Sequence, residues 1–151
     1  MSHQSTCSQV REVIPAIGAQ GGAIVNIGSV HARQTIEGYA IYAAIKAAVE
    51  GFMRGLACEL GARNIRANCV HPGYVTSPQN RALIRRFSPD PESWISHYTS
   101  TKQLLPKSIE PRDVGNLVAW LLGEKAAIIT GQAITIDAGT TAMLFEKDVA
   151  R

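Results

Sequence analysis

Gly21-Gly22-Ala23-Ile24-Val25-Asn26-Ile27-Gly28-Ser29 is the stretch on which the fold turns. Ala23 to Ile27 is a short apolar run bounded by glycines. It is too short for a buried helix, so it reads as a strand covered on both faces, as in a parallel sheet. A helical pattern follows from about Tyr39 to Leu60, with Val49, Phe52, Met53, Leu56 and Leu60 spaced as one inward stripe. Ala43, Ala44, Ala47 and Ala48 leave other faces thin enough for a second helix to approach, and Gly61 and Asn64 supply a stop.

The same pattern continues on both sides. Val10, Val13, Ile14 and Ile17 predict helical turns within Cys7 to Ala19, stopped at Gly21-Gly22. Ile65 to Val70 reads as a second strand, ended by His71-Pro72-Gly73. Residues 78–106 are polar and punctuated by prolines, with short helices expected around Arg81 to Phe87 and Glu92 to Thr99. Pro111 to Leu122 is a clearer helix: Pro111 suits its first turn, and Val114, Leu117, Val118, Leu121 and Leu122 form its stripe. Gly131 then turns the chain into a last strand, Gln132 to Ile136, before Asp137-Ala138-Gly139. Strands separated by helices imply an α/β fold with parallel pairing through right-handed crossovers. Ligands of such sheets bind at the carboxyl ends of the strands. Ser29 and the Pro72-Gly73 turn both fall there.

Composition narrows the function classes. A chain of 151 residues suits one domain, 1–151, and a mean hydropathy of +0.02 is that of an ordinary globular protein. No apolar run approaches the ~20 residues of a membrane span, and Met1 to Val10 lacks the apolar region of a signal peptide. Cys7, Cys58 and Cys69 are odd in number and scattered, which suggests reduced thiols and a cytoplasmic location, with Cys58 and Cys69 as small buried fillers. His3, His31, His71 and His97 show no metal-ligand spacing, so no metal is expected and structural or exposed roles are favoured. The net charge of +3 is mild. Arg81, Arg85 and Arg86 lack stacking aromatics or a recognition motif, and they read as a solvated helix face rather than a nucleic-acid site.

The chemistry-bearing pattern is Ser29, then Tyr42, then Lys46. Tyr42 and Lys46 are one helical turn apart and share a face. An ammonium beside a phenol favours the phenolate, which is what a tyrosine needs to exchange protons with an alcohol or ketone near neutral pH. Taken singly, Ser29 is a turn or N-cap serine, Tyr42 a helix-surface tyrosine and Lys46 a solvated charge. Tyr39 competes with Tyr42 for the acid/base role but has Ala43, not a lysine, four residues on, so it reads as a packing or pocket tyrosine. Trp120 falls between core positions of its helix and reads as packing.

The joint spacing, with Asn68-Cys-Val-His-Pro72-Gly73-Tyr-Val75-Thr76 and Gly131-Gln-Ala-Ile-Thr-Ile-Asp137-Ala-Gly139, resembles the C-terminal half of the short-chain dehydrogenase/reductase family. The resemblance implies a Rossmann-like, doubly wound parallel sheet, truncated so that it lacks the N-terminal phosphate-binding half. It implies an NAD(P)-dependent oxidoreductase interconverting an alcohol and a ketone. Tyr42 resembles the general acid/base, Ser29 the hydroxyl that holds the substrate oxygen, and Lys46 the residue that assists the tyrosine and grips the nicotinamide ribose. Pro72, Gly73, Val75 and Thr76 resemble the loop that seats the nicotinamide carboxamide. Residues 77–105 resemble the substrate lid, where Trp94 is placed to line the cavity, and His31 sits where the family lines its substrate pocket.

The pattern also departs from the family. No Gly-x-x-x-Gly-x-Gly loop occurs in these residues, and an ungapped count puts the family's catalytic asparagine near Ser2. The residue that selects NAD or NADP belongs to the same missing half, so both cofactors remain open, as does the substrate. Glycine-loop amides carry much of a dinucleotide's phosphate binding. The alternative is therefore a catalytically dead module working through subunit contacts. The family's habit of pairing through its Tyr-Lys helix, together with the Gly51-Gly55 face here, implies a homo-oligomer. A first strand with no partner on one side is an aggregation-prone edge.

Overall fold

The computed structural model describes residues 21–147 throughout, together with Val10, Glu12 and residues 14–17. Most of the helix expected over Cys7 to Ala19, and the Ser2 position, therefore lie outside the described residues. Within that segment Val10 and Glu12 are helical and Ile14–Ala16 form one 3-10 turn.

Three strands, β1 (Gly22–Ile27), β2 (Ile65–Pro72) and β3 (Ala133–Ile136), form one parallel sheet in the order β1-β2-β3. In register, Gly22 faces Ile65 and Ile27 faces Val70, while Cys69 faces Ala133 and Pro72 faces Ile136. The helices are α1 (Ala40–Leu60), α2 (Pro78–Ile84), α3 (Pro91–Thr101) and α4 (Pro111–Leu122). The expected α/β order is thus present as a partial Rossmann-like fold. No described helix is long and apolar enough to cross a membrane.

The pleat explains the layers. Successive residues of a strand point to opposite faces. Ile65, Ala67 and Cys69 of β2 therefore face α1, where they pack on Val49, Met53, Leu56, Ala57 and Leu60. Val70 turns to the other face, among Leu121, Val114, Leu117 and Val118 of α4. β1 divides likewise: Ile24 joins the α1 layer and Val25 the α4 layer. Met53 and Leu121 are 1% and 0% exposed, and each such buried side chain contributes about 1.5–3 kcal/mol. Phe52 and Val114 are half-buried, while Leu122 and Trp120 are exposed, so the stripe of α4 is narrower than its sequence suggests and Trp120 packs less than expected.

Three further differences have local causes. β2 runs two residues past Val70, through His71 and Pro72, because β3 pairs with that end. Gly61 is right-handed, and the left-handed stop after α1 is Asn64 at φ 57, a conformation that asparagine tolerates better than most residues. β1 is half-buried rather than covered on both faces, because among the described residues no strand pairs with its outer edge.

Polar side chains tie the sheet to its surroundings. Buried Asn68 donates to the Ile129 carbonyl at 2.8 Å and accepts from the Gln132 amide at 3.0 Å, fixing the approach to β3. Arg66 donates to the carbonyls of Leu121, Leu122 and Gly123 and so satisfies the open C-terminal end of α4.

Candidate active site

Three chain segments meet at the carboxyl end of β1. Gly28 and Ser29 leave the strand, and the turn Val30–Ala32 carries His31 outward. The first turns of α1 bring Tyr42 and Lys46 back to the same corner. Ser29 is buried, and its hydroxyl oxygen accepts from the His31 amide at 3.2 Å, a local cap. The Lys46 ammonium donates to the Ile27 carbonyl at 3.2 Å, the last carbonyl of β1. That ammonium also stands 5.7 Å from the centre of the Tyr42 ring. Lysine and tyrosine therefore lie on one face of α1, and the lysine is fastened to the strand that carries the serine.

Aromatic rings line the outer side. His31 stacks on Tyr39 at 4.7 Å and meets Tyr42 edge-on at 5.4 Å, while Tyr39 and Tyr42 lie 5.9 Å apart. Partial burial holds the His31 imidazole below its ordinary pKa. Tyr42 remains 41% exposed, open to a small molecule at the corner. Ser29, His31, Tyr42 and Lys46 thus lie around one corner.

The second expected cluster follows β2. Pro72 ends the strand, and Gly73 passes so close to Asp137 that a Cβ there would lie 2.8 Å from the aspartate Cβ. Val75 bridges Ile109, and the Thr76 amide donates to the Ile109 carbonyl at 2.8 Å. Thr76 is 3% exposed, yet its hydroxyl has no partner among the described residues. A buried hydroxyl without a partner is costly. It fits a site that receives a polar group such as a carboxamide, so these residues suit the nicotinamide end of a dinucleotide.

Trp94 stands elsewhere, on α3. It stacks on Tyr98 at 5.3 Å, meets Tyr74 at 5.2 Å and touches Phe87 at 6.0 Å. Residues 77–105 contain two short capped helices. Ser77 accepts from the Asn80 amide, Asp90 accepts from the Glu92 and Ser93 amides, and an Arg81–Glu92 ion pair joins the two. Arg85 and Arg86 are exposed, as expected of a solvated face.

Residue-pattern reasoning did not single out the groups that brace the corner. Wholly buried His71 lies beneath Ser29, and its Nε2 is 3.1 Å from Glu50 Oε2. This is an ion-pair distance without the alignment of a hydrogen bond. Glu50 in turn accepts from Arg33 at 3.2 and 3.0 Å, with Arg54 at 3.7 Å. The Arg33 guanidinium holds the Glu50 carboxyl below its usual range, against the opposing effect of burial. The signal was a histidine near the end of β2, directly before Pro72-Gly73. Asp137 is a second brace: its carboxylate accepts from the amides of Gly139 and Thr141 and from the Thr141 hydroxyl, which fixes the turn beside Gly73. Cys69 is buried as expected, whereas Cys58 is exposed, because it falls on the outer face of α1.

A family model described as enoyl-(acyl carrier protein) reductase matches residues 1–141. The chain belongs to the short-chain dehydrogenase/reductase family. (−)-trans-Carveol dehydrogenase of Rhodococcus erythropolis is 39% identical over 131 residues, covering 82% of this chain and 47% of that protein. Trans-4-hydroxycyclohexanecarboxylate dehydrogenase of Sinomonas cyclohexanicum is 33% identical over 133 residues, covering 88% of this chain and 46% of that one. L-sorbose reductase from Gluconobacter frateurii, solved in complex with NADPH and L-sorbose, superimposes with a TM-score of 0.84 at 26% identity, over 94% of this chain and 56% of that chain. The short-chain dehydrogenase/reductase chain described here spans about half the length of the curated relatives it matches.

Proposed function

We propose that this chain supplies the proton-handling half of an NAD(P)-dependent oxidoreductase acting on a small alcohol or ketone. The observation that carries the reading is the convergence of Ser29, Tyr42 and Lys46 at the end of β1, with Lys46 bonded to the strand and standing over the tyrosine ring. Relatives named as dehydrogenases and a structural neighbour solved with NADPH support the same chemistry.

In this reading Ser29 donates a hydrogen bond to the substrate oxygen and fixes its direction. During oxidation Tyr42, as the phenolate, takes the proton from the substrate hydroxyl; during reduction it returns one to the carbonyl oxygen. The Lys46 ammonium, standing over the Tyr42 ring, offers a donor to a ribose hydroxyl. Pro72, Gly73, Val75 and Thr76 hold the nicotinamide end, with the Thr76 hydroxyl as donor. A nicotinamide held there would supply the hydride acceptor or donor for the carbon bearing oxygen. His31 and Tyr39 bound the substrate side, and Trp94 belongs to the lid.

The test is cofactor titration with a steady-state assay over secondary alcohols and ketones, including those in the relatives' names. Turnover lost in Tyr42→Phe supports the reading; equal turnover in that variant removes Tyr42 from the mechanism.

A second reading, a non-catalytic module, is favoured by the half-buried outer edge of β1 and the exposed alanine face of α1. Co-expression with a complete family member and size-exclusion chromatography tests it. A mixed oligomer without turnover supports the module, and elution of this chain by itself opposes it.

A further inference from the structure

We infer that His71 is a positioning residue for Ser29, with its Nε2 set beside the Glu50 carboxylate and its Nδ1 against the serine backbone. The inference deepens the reading above, on which the role of Ser29 rests. Three observations carry it. Nδ1 of His71 lies 2.9 Å from the Ser29 amide nitrogen and 2.6 Å from the Ser29 carbonyl oxygen. Nε2 lies 3.1 Å from Glu50 Oε2, and Glu50 is itself clamped by two bonds from Arg33. Gly28, the residue before the serine, makes room for the ring: a Cβ there would stand 2.6 Å from the imidazole.

The proton assignment follows from these neighbours. A bare Nε2 would set its lone pair within 3.1 Å of a carboxylate oxygen, which is repulsive, so Nε2 carries the hydrogen. One nitrogen cannot serve both backbone groups of Ser29 at once. An unprotonated Nδ1 accepts from the amide, and a protonated one donates to the carbonyl. In either state the partner of Nδ1 is the backbone of the residue whose hydroxyl is to hold the substrate oxygen. The link spans the sheet: His71 belongs to β2, Glu50 to α1, and Ser29 to the exit of β1. His71 therefore fixes the serine relative to the helix that carries Tyr42 and Lys46. A polar group aimed by such a brace loses rate when it drifts, because catalysis depends steeply on orientation.

Two arms test this on the full chain. In the first, nitrogen-15 spectra of the imidazole and of the Ser29 amide are recorded for wild type, His71→Leu, His71→Asn and Glu50→Gln. A proton on His71 Nε2, a Ser29 amide shifted in His71→Leu and largely restored in His71→Asn (whose amide reaches the Nδ1 position), and a disturbed ring in Glu50→Gln support the inference. A ring protonated on Nδ1 alone, or a Ser29 amide indifferent to His71→Leu in a protein that still melts cooperatively, overturns it. In the second arm, kcat falls about ten- to a hundredfold in His71→Leu with KM for the cofactor unchanged, and His71→Asn recovers most of the loss. An equal kcat in His71→Leu overturns the positioning role. A wild-type chain without turnover would count against the oxidoreductase reading alone, since the spectra still decide where His71 holds Ser29.

Discussion

β1 and β2 are neighbours in one parallel sheet, both apolar in sequence, and they fare differently. β2 is buried along almost its whole length, with Ala67, Asn68, Val70 and His71 wholly covered. β1 is half-buried and ends exposed at Ile27. The same kind of sequence thus gives a covered strand where helices and strands flank it on every side, and a partly open one where they do not. The division reaches function. Side chains proposed to do chemistry gather at the exit of the open strand, Ser29 from that exit and Tyr42 and Lys46 from α1, while the covered strand supplies the brace through His71. Rigidity comes from β2, and access comes from β1.

If that division is right, substitutions at the β1 exit cost chemistry and substitutions in β2 cost stability. The largest effect is expected at Tyr42. Tyr42→Phe is expected to lower turnover by about 10²–10⁴, the usual worth of a positioned acid/base. Because the ring is 41% exposed, its melting is expected to stay within about 0.5 kcal/mol of wild type. A large loss of stability with turnover retained would break the comparison. Next come paired truncations measured by denaturant unfolding. Ile65→Ala, at 1% exposure in β2, should cost about 2–5 kcal/mol. Ile24→Ala in half-buried β1 should cost less than about 2 kcal/mol, in proportion to the smaller area it removes from water. Equal costs would mean that β1 is as well covered as its neighbour.

The brace between the strands should answer to pH. Arg33 depresses the Glu50 carboxyl, so in the window between the depressed value and the ordinary glutamate value of about 4.3 the unfolded chain binds the proton and the folded chain does not. The ion pair's contribution is complete above that window and is lost as pH falls through the folded value. Glu50→Gln should therefore be less stable than wild type near neutral pH, with the difference shrinking in acid; a gap that widens in acid would contradict the assignment. The smallest effect is a labelling contrast. Burial pushes the Cys69 thiol up to about 11, so on β2 it should resist alkylation in the native protein while exposed Cys58 reacts. Rapid native labelling of Cys69 would show that β2 opens more readily than its burial implies.

Much of the fold was legible because apolar periodicity and glycine punctuation are local. Ala23 to Ile27, the stripe of α1 and the Pro111 start of α4 all follow from spacing. The corner itself was legible for the same reason, since Tyr42 and Lys46 are one turn apart and Ser29 ends a strand. What spacing does not carry is contact between distant segments. The 42 positions between Ser29 and His71, and the route from His71 through Glu50 to Arg33, are set by sheet register and helix packing. The exposure of Cys58 and Trp120 likewise depends on which side of each helix meets the sheet. The stacking of Trp94 on Tyr98 and its contact with Tyr74 arise from the fold of residues 77–105 rather than from any pattern around it.

The central claim is that the Ser29, Tyr42 and Lys46 corner works on a carbon bearing hydrogen and oxygen. Its most direct test is isotope transfer: the chain is incubated with NAD or NADP and a secondary alcohol carrying deuterium on the carbinol carbon, and the nicotinamide is examined by mass spectrometry. The account predicts deuterium on the nicotinamide ring with wild type and none with Tyr42→Phe. Deuterium transfer that is equal in the two proteins, or absent from wild type with every alcohol and both cofactors, would contradict it.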